Sequence, residues 1–140
     1  DDGDRPLAQL GQIQSMRMLA KYLPFGITEI HTSDAVRCYE TVAPMARALS
    51  LDMIYWSELS EYAYEKDKKA AIKVVQDIIE TEAHAIVCGH NPVIPAIVAK
   101  YIGKKNIKQL DHGLLPGESW ILHHRDGEVV AIDWMKAPDA

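Results

Sequence analysis

The 140-residue chain has the length of one domain, and its 48% hydrophobic and 25% charged residues are typical of a soluble globular protein. A net charge of −5, with basic runs only at residues 66–69 and 104–108, argues against nucleic acid as the main partner. No stretch is apolar enough for a membrane span and no signal peptide is visible, so we expect a cytoplasmic protein whose Cys38 and Cys88 are free thiols.

Helical and strand-like apolar patterns alternate along the chain. The predicted elements, in chain order, are helix 10–23, strand 27–33, helix 35–49, strand 51–56, acidic loop 57–65, helix 67–80, strand 83–88, helix 92–102 and strands 119–124 and 129–134. Strands that alternate with helices imply crossover connections. We therefore expect a three-layer α/β fold, in which a mainly parallel sheet has helices on both faces and an antiparallel C-terminal hairpin.

The segment 32–41 places a cation at the start of a helix. The preceding strand stops at Ser33, and Ser33 or Asp34 is positioned to cap the helix that follows. Arg37 falls in the first helical turn, where the helix dipole disfavours a cation by about 0.3–1 kcal/mol. Free backbone N–H groups, a hydroxyl and a guanidinium together suit an anion, most naturally phosphate. The alternative is that Arg37 only pairs with Asp34 or Glu40.

A histidine follows the next buried strand in the same way. That strand ends before Gly89, which permits a tight turn, and His90 precedes a helix that Asn91 caps and Pro92 begins. Because parallel strands bring their carboxyl ends to one edge of a sheet, His90 and Arg37 are expected to share a phosphate site. A phosphate there would favour the protonated imidazole. The alternative is a structural histidine bonded to a neighbouring loop.

Two further sets of side chains offer chemistry. A carboxyl group from Glu58 or Glu61 in the acidic loop could protonate a leaving oxygen as a general acid, or each could be a solvated surface group. The other set is a conceivable metal site made of His112, His123, His124 and Asp126. Adjacent residues of a strand point to opposite faces, which argues against that metal site.

These segments resemble the histidine phosphatase superfamily, also called phosphoglycerate mutase-like. Residues 32–41 are similar to its Thr-Ser-x-x-x-Arg-x-x-x-Thr segment, whose arginine binds the phosphoryl group. Gly89-His90-Asn91 is similar to the turn that carries the second catalytic histidine of the family. The stretch 5–11 resembles the start of the first helix in SixA-type members. The stretch 59–61 resembles the Leu-x-Glu segment that supplies the general acid in many members. The resemblance thus implies catalytic roles for His90 and Glu61, no metal or cofactor, and phosphate-binding roles for Arg37, Ser33, Asn91 and Arg5.

The nucleophile of that family has no counterpart in the sequence. It is the histidine of an Arg-His-Gly or Arg-His-Ala motif at the end of the first, central strand, and His84 and His112, the nearest matches, lack the arginine. The chain also opens in a loop-like Asp1-Asp2-Gly3-Asp4 without methionine. We therefore expect residues 1–140 to be a histidine phosphatase-like domain at the C-terminal end of a longer protein. The missing strand would leave a gap beside strands 27–33 and 83–88, or another segment would fill it.

The segments 88–95 and 116–122 look most like the phosphatase half of actinobacterial MutT-type proteins, in which a Nudix domain precedes a histidine phosphatase domain. This resemblance implies hydrolysis of a nucleotide or another small phosphate ester through a phosphohistidine, with the nucleophile upstream and the 140 residues alone inactive. Magnesium would serve only the separate Nudix domain. The alternative function is a non-catalytic phosphate-binding or regulatory domain.

Overall fold

The computed structural model describes residues 2–103 and 117–138. The α-helices of this part are α1 (Gln9–Tyr22), α2 (Val36–Leu49), α3 (Glu61–Lys66), α4 (Lys68–Glu80) and α5 (Val93–Tyr101). Its strands are β1 (Glu29–Ser33), β2 (Met53–Trp56), β3 (Ala85–Cys88), β4 (Ser119–Arg125) and β5 (Glu128–Met135). Helices and strands alternate as predicted, and the ends of the predicted elements differ from the observed ones by at most two residues.

Strand β1 is the middle strand of a parallel sheet with the order β2–β1–β3. Ile30 of β1 lies opposite Met53 on one side and Ile86 on the other. Strands β4 and β5 form a separate antiparallel hairpin. It turns at Asp126 and Gly127, whose φ angles of 54° and 77° suit a turn that matches the twist of the strands. The parallel sheet and the C-terminal hairpin are therefore both confirmed.

Apolar clusters cover both faces of the parallel sheet. The cluster under α4 and α5 consists of Leu59, Ala71, Val74, Val75, Ile78, Ile79, Val93 and Ile97. The cluster under α2 consists of Ile30, Val42, Met45 and Ala46. Side chains of β3 alternate between them, with Ala85 and Val87 against the first and Ile86 and Cys88 against the second. This confirms the three-layer arrangement, and full burial of each large aliphatic side chain contributes about 1.5–3 kcal/mol.

The predicted acidic loop at 57–65 is wrong, because this segment is mostly helical. Ser57–Leu59 forms a turn of 3₁₀ helix, and α3 follows it directly. The Ser60 side chain caps α3 by accepting a hydrogen bond from the Ala63 backbone N–H at 3.1 Å. Leu59 is fully buried and fixes the segment to the core, so the acidic side chains are carried on an ordered support.

The start of α2 also differs from the prediction. Ala35 occupies the N-cap position, so neither Ser33 nor Asp34 caps the helix in the expected way. The Ser33 hydroxyl instead accepts a hydrogen bond from the Ala35 N–H at 3.1 Å, one residue before the helix begins. Pro44 lies inside α2 and does not end it. The first turn of α2 is thus tied directly to the end of β1.

Strand β3 has an open edge. Its inner edge pairs with β1, and among the described residues no strand pairs with its other edge or with the free edge of β4. A cavity of about 420 Å³ lies between these two edges and is lined by residues of both strands, Cys88 and Ser119 among them. The predicted gap therefore exists beside β3, but the prediction of a gap beside β1 is wrong because β1 is paired on both edges. His84 is exposed and precedes β3, although a position inside the buried strand was expected.

Helix α1 is the least buried of the longer helices. Its apolar side chains Leu10, Ile13 and Met16 are exposed, and its buried residue is Ser15. Within the described ranges, neither α1 nor any other helix has the length and apolar character that crossing a membrane requires.

Candidate active site

Arg37, His90 and Glu61 come together at the carboxyl end of the parallel sheet. The Arg37 Nη2 atom lies 3.0 Å from His90 Nδ1 and 3.5 Å from Glu61 Oε1. The same Glu61 oxygen lies 3.7 Å from His90 Nδ1. A guanidinium, an imidazole and a carboxylate therefore face one another within hydrogen-bonding range or slightly beyond it.

Arg37 is held by the first turn of α2. Its side chain is 19% exposed, so Arg37 is largely covered but still reaches solvent. Its backbone carbonyl accepts a hydrogen bond from the Thr41 hydroxyl at 2.7 Å. Glu40, one of the ion-pair partners considered for Arg37, accepts a hydrogen bond from the Leu7 N–H at 3.2 Å. That contact attaches the segment before α1 to α2 close to the site.

His90 is buried, with 5% of its side chain exposed, and both of its ring nitrogens are engaged. Because an arginine N–H can only donate, Nδ1 accepts the hydrogen bond from Arg37 and the imidazole proton is on Nε2. Nε2 then donates to the Ser33 hydroxyl oxygen at 2.8 Å. These contacts on both sides fix the orientation of the ring.

The turn before α5 aims His90 at Arg37. A Cβ atom at position 89 would approach Ile94 Cδ1 to 3.0 Å, so a larger residue than Gly89 would require the Ile94 side chain to shift. The His90 carbonyl accepts a hydrogen bond from the Ile94 N–H at 2.8 Å. Helix α5 begins at Val93 with Pro92 in the N-cap position, so the prediction that Asn91 caps the helix is wrong. Asn91 is exposed in the turn directly after His90.

The other predicted site residues lie at different depths. Ser33 is fully buried beneath His90, so its hydroxyl supports the imidazole from below. Arg5 is exposed in the segment that precedes α1. Glu61, at the start of α3, has 46% of its side chain exposed and faces both His90 and Arg37. Glu58 instead accepts a hydrogen bond from the Ser57 hydroxyl at 3.2 Å, so the geometry favours Glu61 as the carboxyl group of the site.

A cysteine beside His90 was not anticipated as part of the site. The Cys38 sulfur lies 3.4 Å from His90 Nε2. A hydrogen bond from the Cys88 thiol, aided by His90, lowers the pKa of Cys38 to about 5, although burial opposes this shift. The pKa of Cys88 is raised by the same contact and by burial. The sequence carried a signal, since Cys38 follows Arg37 directly and Cys88 ends the strand that leads to His90.

The remaining described histidines bond elsewhere. His31 interacts with Glu29 at 2.9 Å and accepts a hydrogen bond from the Trp56 indole at 2.9 Å. His123 contacts Asp133, whereas its neighbour His124 contacts a backbone carbonyl. In the part of the chain that the structure covers, no three His, Cys, Asp or Glu side chains are grouped to hold a metal ion. His112, from the conceivable metal site, lies outside the described residues.

Comparison with known proteins relates both the sequence and the fold to phosphatases. Over 141 aligned positions the chain is 33% identical to an 8-oxo-(d)GTP phosphatase of Mycolicibacterium smegmatis, covering 99% of this chain and 43% of that protein. The chain thus spans less than half the length of this curated relative. The fold is similar to SixA from Agrobacterium tumefaciens, with a TM-score of 0.73, 23% identity, and coverage of 97% of this chain and 86% of that one.

A second solved structure and a family match agree with this relationship. The protein histidine phosphatase SixA complexed with tungstate has a TM-score of 0.66 at 18% identity, covering 99% of this chain and 86% of that chain. Residues 1–72, about half of the chain, match the histidine phosphatase superfamily (branch 1). The chain belongs to the histidine phosphatase superfamily.

Proposed function

We propose that the 140 residues form one histidine phosphatase domain of a longer protein, which hydrolyses a nucleotide or another small phosphate ester. The observation that carries this proposal is the meeting of Arg37, His90 and Glu61 within 3.0–3.7 Å at the carboxyl end of a parallel sheet. In open α/β sheets this is the edge at which ligands bind. The family and the name of the curated relative support the same class of reaction.

In this proposal Arg37 and His90 hold the phosphoryl oxygens. The guanidinium presents planar N–H donors that match phosphate, and the first turn of α2 adds backbone N–H groups and the positive end of the helix dipole. A bound anion replaces His90 Nδ1 as the acceptor of the hydrogen bond from Arg37. Both groups then donate to the anion, His90 after taking up a proton at Nδ1, and stabilise the charge that develops on the anion during transfer. Asn91 and Arg5 are proposed as further ligands at the rim.

The nucleophile is proposed to be a histidine outside these 140 residues, at the end of a strand that lies between β3 and β4. The cavity there has the open edge of β3 on one side and β4 on the other. A strand parallel to β3 in this position ends level with Cys88, next to the turn that carries His90. The relative's greater length leaves room for such a segment and for an upstream Nudix domain, which alone would use magnesium.

The proposed reaction has two steps. The histidine nitrogen attacks phosphorus, the phosphorus–oxygen bond to the leaving group breaks, and Glu61 gives that oxygen a proton. Water then attacks the phosphohistidine while Glu61 takes up a proton from that water, the phosphorus–nitrogen bond breaks, and inorganic phosphate leaves. The cationic side chains take the part that a metal plays in other phosphoryl transfers, so the domain is proposed to need no cofactor.

A second candidate function is phosphate binding without turnover. It is favoured by the positions of the other described histidines, since His31 and His84 bond to Glu29 and to the Phe25 carbonyl instead of facing Arg37. In that case the domain senses or stores a phosphate ester. The two candidates differ in whether a covalent intermediate forms.

The test is phosphate-ester turnover by the longest native polypeptide that contains this chain. Substrates are 8-oxo-dGTP, a simple aryl phosphate and a phosphohistidine peptide, with a His90→Ala variant and a matched His84→Ala control. Hydrolysis that falls by a factor of about 10²–10³ or more in His90→Ala, but not in His84→Ala, supports the enzyme. Binding without hydrolysis supports the second candidate. Turnover that is unchanged by His90→Ala contradicts the proposed site.

A further inference from the structure

Ser33 lies between the end of β1 and the imidazole of His90. It is the last residue of β1, and its side chain has no exposed surface. Thr32 lies opposite Cys88 in the paired strands, so Ser33 is one residue further along, level with the turn that carries His90. The Ser33 hydroxyl oxygen lies 2.8 Å from His90 Nε2. The strand pairing therefore places a buried hydroxyl directly against the ring.

The burial of Ser33 argues against the phosphate-binding role that the family resemblance implies. Its hydroxyl oxygen accepts hydrogen bonds from the Ala35 N–H at 3.1 Å and from His90 Nε2–H. A side chain without exposed surface does not meet an anion that enters from solvent. Ser33 can therefore affect a bound phosphate only through the imidazole that it contacts.

The acceptor at Nε2 matters because His90 is itself buried. In the anion-free protein, Nδ1 accepts a hydrogen bond from Arg37 and Nε2–H donates to Ser33. When phosphate replaces Nδ1 as the acceptor, Nδ1 takes up a proton and donates in turn. The ring is then a buried cation with two N–H groups, and an unpaired buried donor is costly. Phosphate supplies one acceptor, and Ser33 supplies the other.

Other polar groups face His90 from α2 and α3. Arg37 Nη2 lies 3.0 Å and Glu61 Oε1 lies 3.7 Å from Nδ1, so both are on the phosphate side of the ring. The Cys38 sulfur is a second neighbour of Nε2, at 3.4 Å. The shorter contact to an oxygen favours Ser33 as the acceptor. Cys38 is the rival acceptor, and a variant has to separate the two.

We propose that Ser33 is a positioning residue of the phosphate site. It accepts the hydrogen bond from His90 Nε2–H with and without phosphate, so that Nδ1 is the nitrogen that takes up a proton from solvent and meets the phosphoryl group. This inference rests on the proposed function, because the anion that Nδ1 meets is the proposed phosphate. In Ser33→Ala the second N–H of the cation loses its acceptor, so phosphate should bind about tenfold more weakly or worse.

The test follows the protons of His90 while inorganic phosphate binds at neutral pH to the longest native polypeptide that contains this chain. Heteronuclear NMR of the imidazole shows which ring nitrogens carry a proton, and calorimetry gives the affinity. The parent should carry a proton on Nε2 alone without phosphate, and on both nitrogens at saturation. In Ser33→Ala the doubly protonated fraction at saturation should fall by at least half.

Thr32→Val is the matched control. It removes another fully buried hydroxyl of β1, which donates to the Ser33 carbonyl at 2.9 Å, and it leaves the Ser33 side chain in place. Its phosphate affinity and its His90 protonation should equal those of the parent. An equal loss in Thr32→Val and Ser33→Ala would show a general effect on β1 and overturn the inference.

The remaining outcomes separate Ser33 from its rivals. Weaker phosphate binding in Ser33→Ala with unchanged protonation of His90 would make Ser33 a direct ligand and overturn the inference. Loss of the second proton in Cys38→Ala, but not in Ser33→Ala, would assign the acceptor to Cys38. A parent whose His90 carries one proton in the phosphate complex overturns the inference even where Ser33→Ala does not fold.

Failure of the proposed function gives a different result. A parent that does not bind phosphate contradicts that function. The anion-free ring still tests the contact on which the inference is built, because a proton on Nδ1 instead of Nε2 would overturn the part given to Ser33.

Discussion

Arg37 Nη2 and His90 Nδ1 lie 3.0 Å apart, although 53 residues separate them in the sequence. The contact follows from the register of two parallel strands, in which Thr32 lies opposite Cys88. Strand β3 ends at this pair and β1 ends one residue after it, so the residues that follow both strands emerge at nearly the same level. The pairing of the two strands therefore sets the position of both residues, and each residue can be tested by its own substitution.

Arg37→Lys should weaken the binding of inorganic phosphate, because lysine keeps the charge but loses the planar pair of donors. A loss of one good charge-assisted hydrogen bond corresponds to about 1.5–3 kcal/mol, or a factor of about 10–150 in the dissociation constant. Isothermal titration calorimetry measures the dissociation constant directly. Arg17→Lys, on α1, is the matched control. Equal losses of affinity in both variants would show that Arg37 does not bind the phosphate.

Glu61→Gln should slow the hydrolysis of esters with poor leaving groups more than that of esters with good ones. The amide keeps the shape of Glu61 but cannot give a proton to the leaving oxygen, a contribution of about 10²–10⁴-fold for a general acid. Steady-state rates on an alkyl and an aryl phosphate provide the comparison. Glu58→Gln is the control, since Glu58 bonds to Ser57. A larger effect in Glu58→Gln would show that Glu58, and not Glu61, is the general acid.

Ser60→Ala should lower the free energy of unfolding by about 1 kcal/mol, because it removes the N-cap of α3. The Ser60 hydroxyl accepts a hydrogen bond from the Ala63 N–H at 3.1 Å, whereas the Ser57 hydroxyl donates to the Glu58 carboxylate in a solvent-exposed contact. Ser57→Ala should therefore be nearly neutral. Urea denaturation of the parent and the two variants measures these free energies of unfolding. The same loss in both variants would argue against a specific N-cap at Ser60.

The cysteine pair should make stability depend on pH in a defined window. The pKa of Cys38 falls from 9.0 to about 5 on folding, while that of Cys88 rises above 9.0. Between about pH 5 and 9 the unfolded chain holds two thiol protons and the folded chain one, so stability rises with pH. Above pH 9 the unfolded chain loses both protons while the folded chain keeps one, and stability falls.

This pH profile can be measured by chemical denaturation of the reduced protein. Cys88→Ala removes the largest cause of the low Cys38 pKa, so its Cys38 should titrate at a higher pH and its rise in stability should be smaller. Ultraviolet absorbance of the thiolate follows that titration. Identical profiles for Cys88→Ala and the parent would show that the two thiols are not coupled.

The sequence predicted most of the sheet because apolar periodicity and strand ends are local signals. Ser33 and Cys88 were placed correctly at strand ends, and from this the approach of Arg37 to His90 could be expected. Other features depend on tertiary contacts. The burial of Leu59 turns an acidic loop into a helical segment, and only packing of α2 against β3 brings Cys38 to Cys88. Strand order likewise could not be deduced from spacing, so a gap was predicted beside β1 as well as beside β3, where it is found.

The shared phosphate site is tested most directly by titrating the protein with inorganic phosphate while the imidazole NMR signals of its six histidines are followed. A His90→Gln variant identifies the signals of His90. A site formed by Arg37 and His90 predicts that the His90 signals shift saturably and more than any others, and that Arg37→Ala weakens this response at least tenfold. Saturable phosphate binding that leaves the His90 signals in place would contradict the shared site.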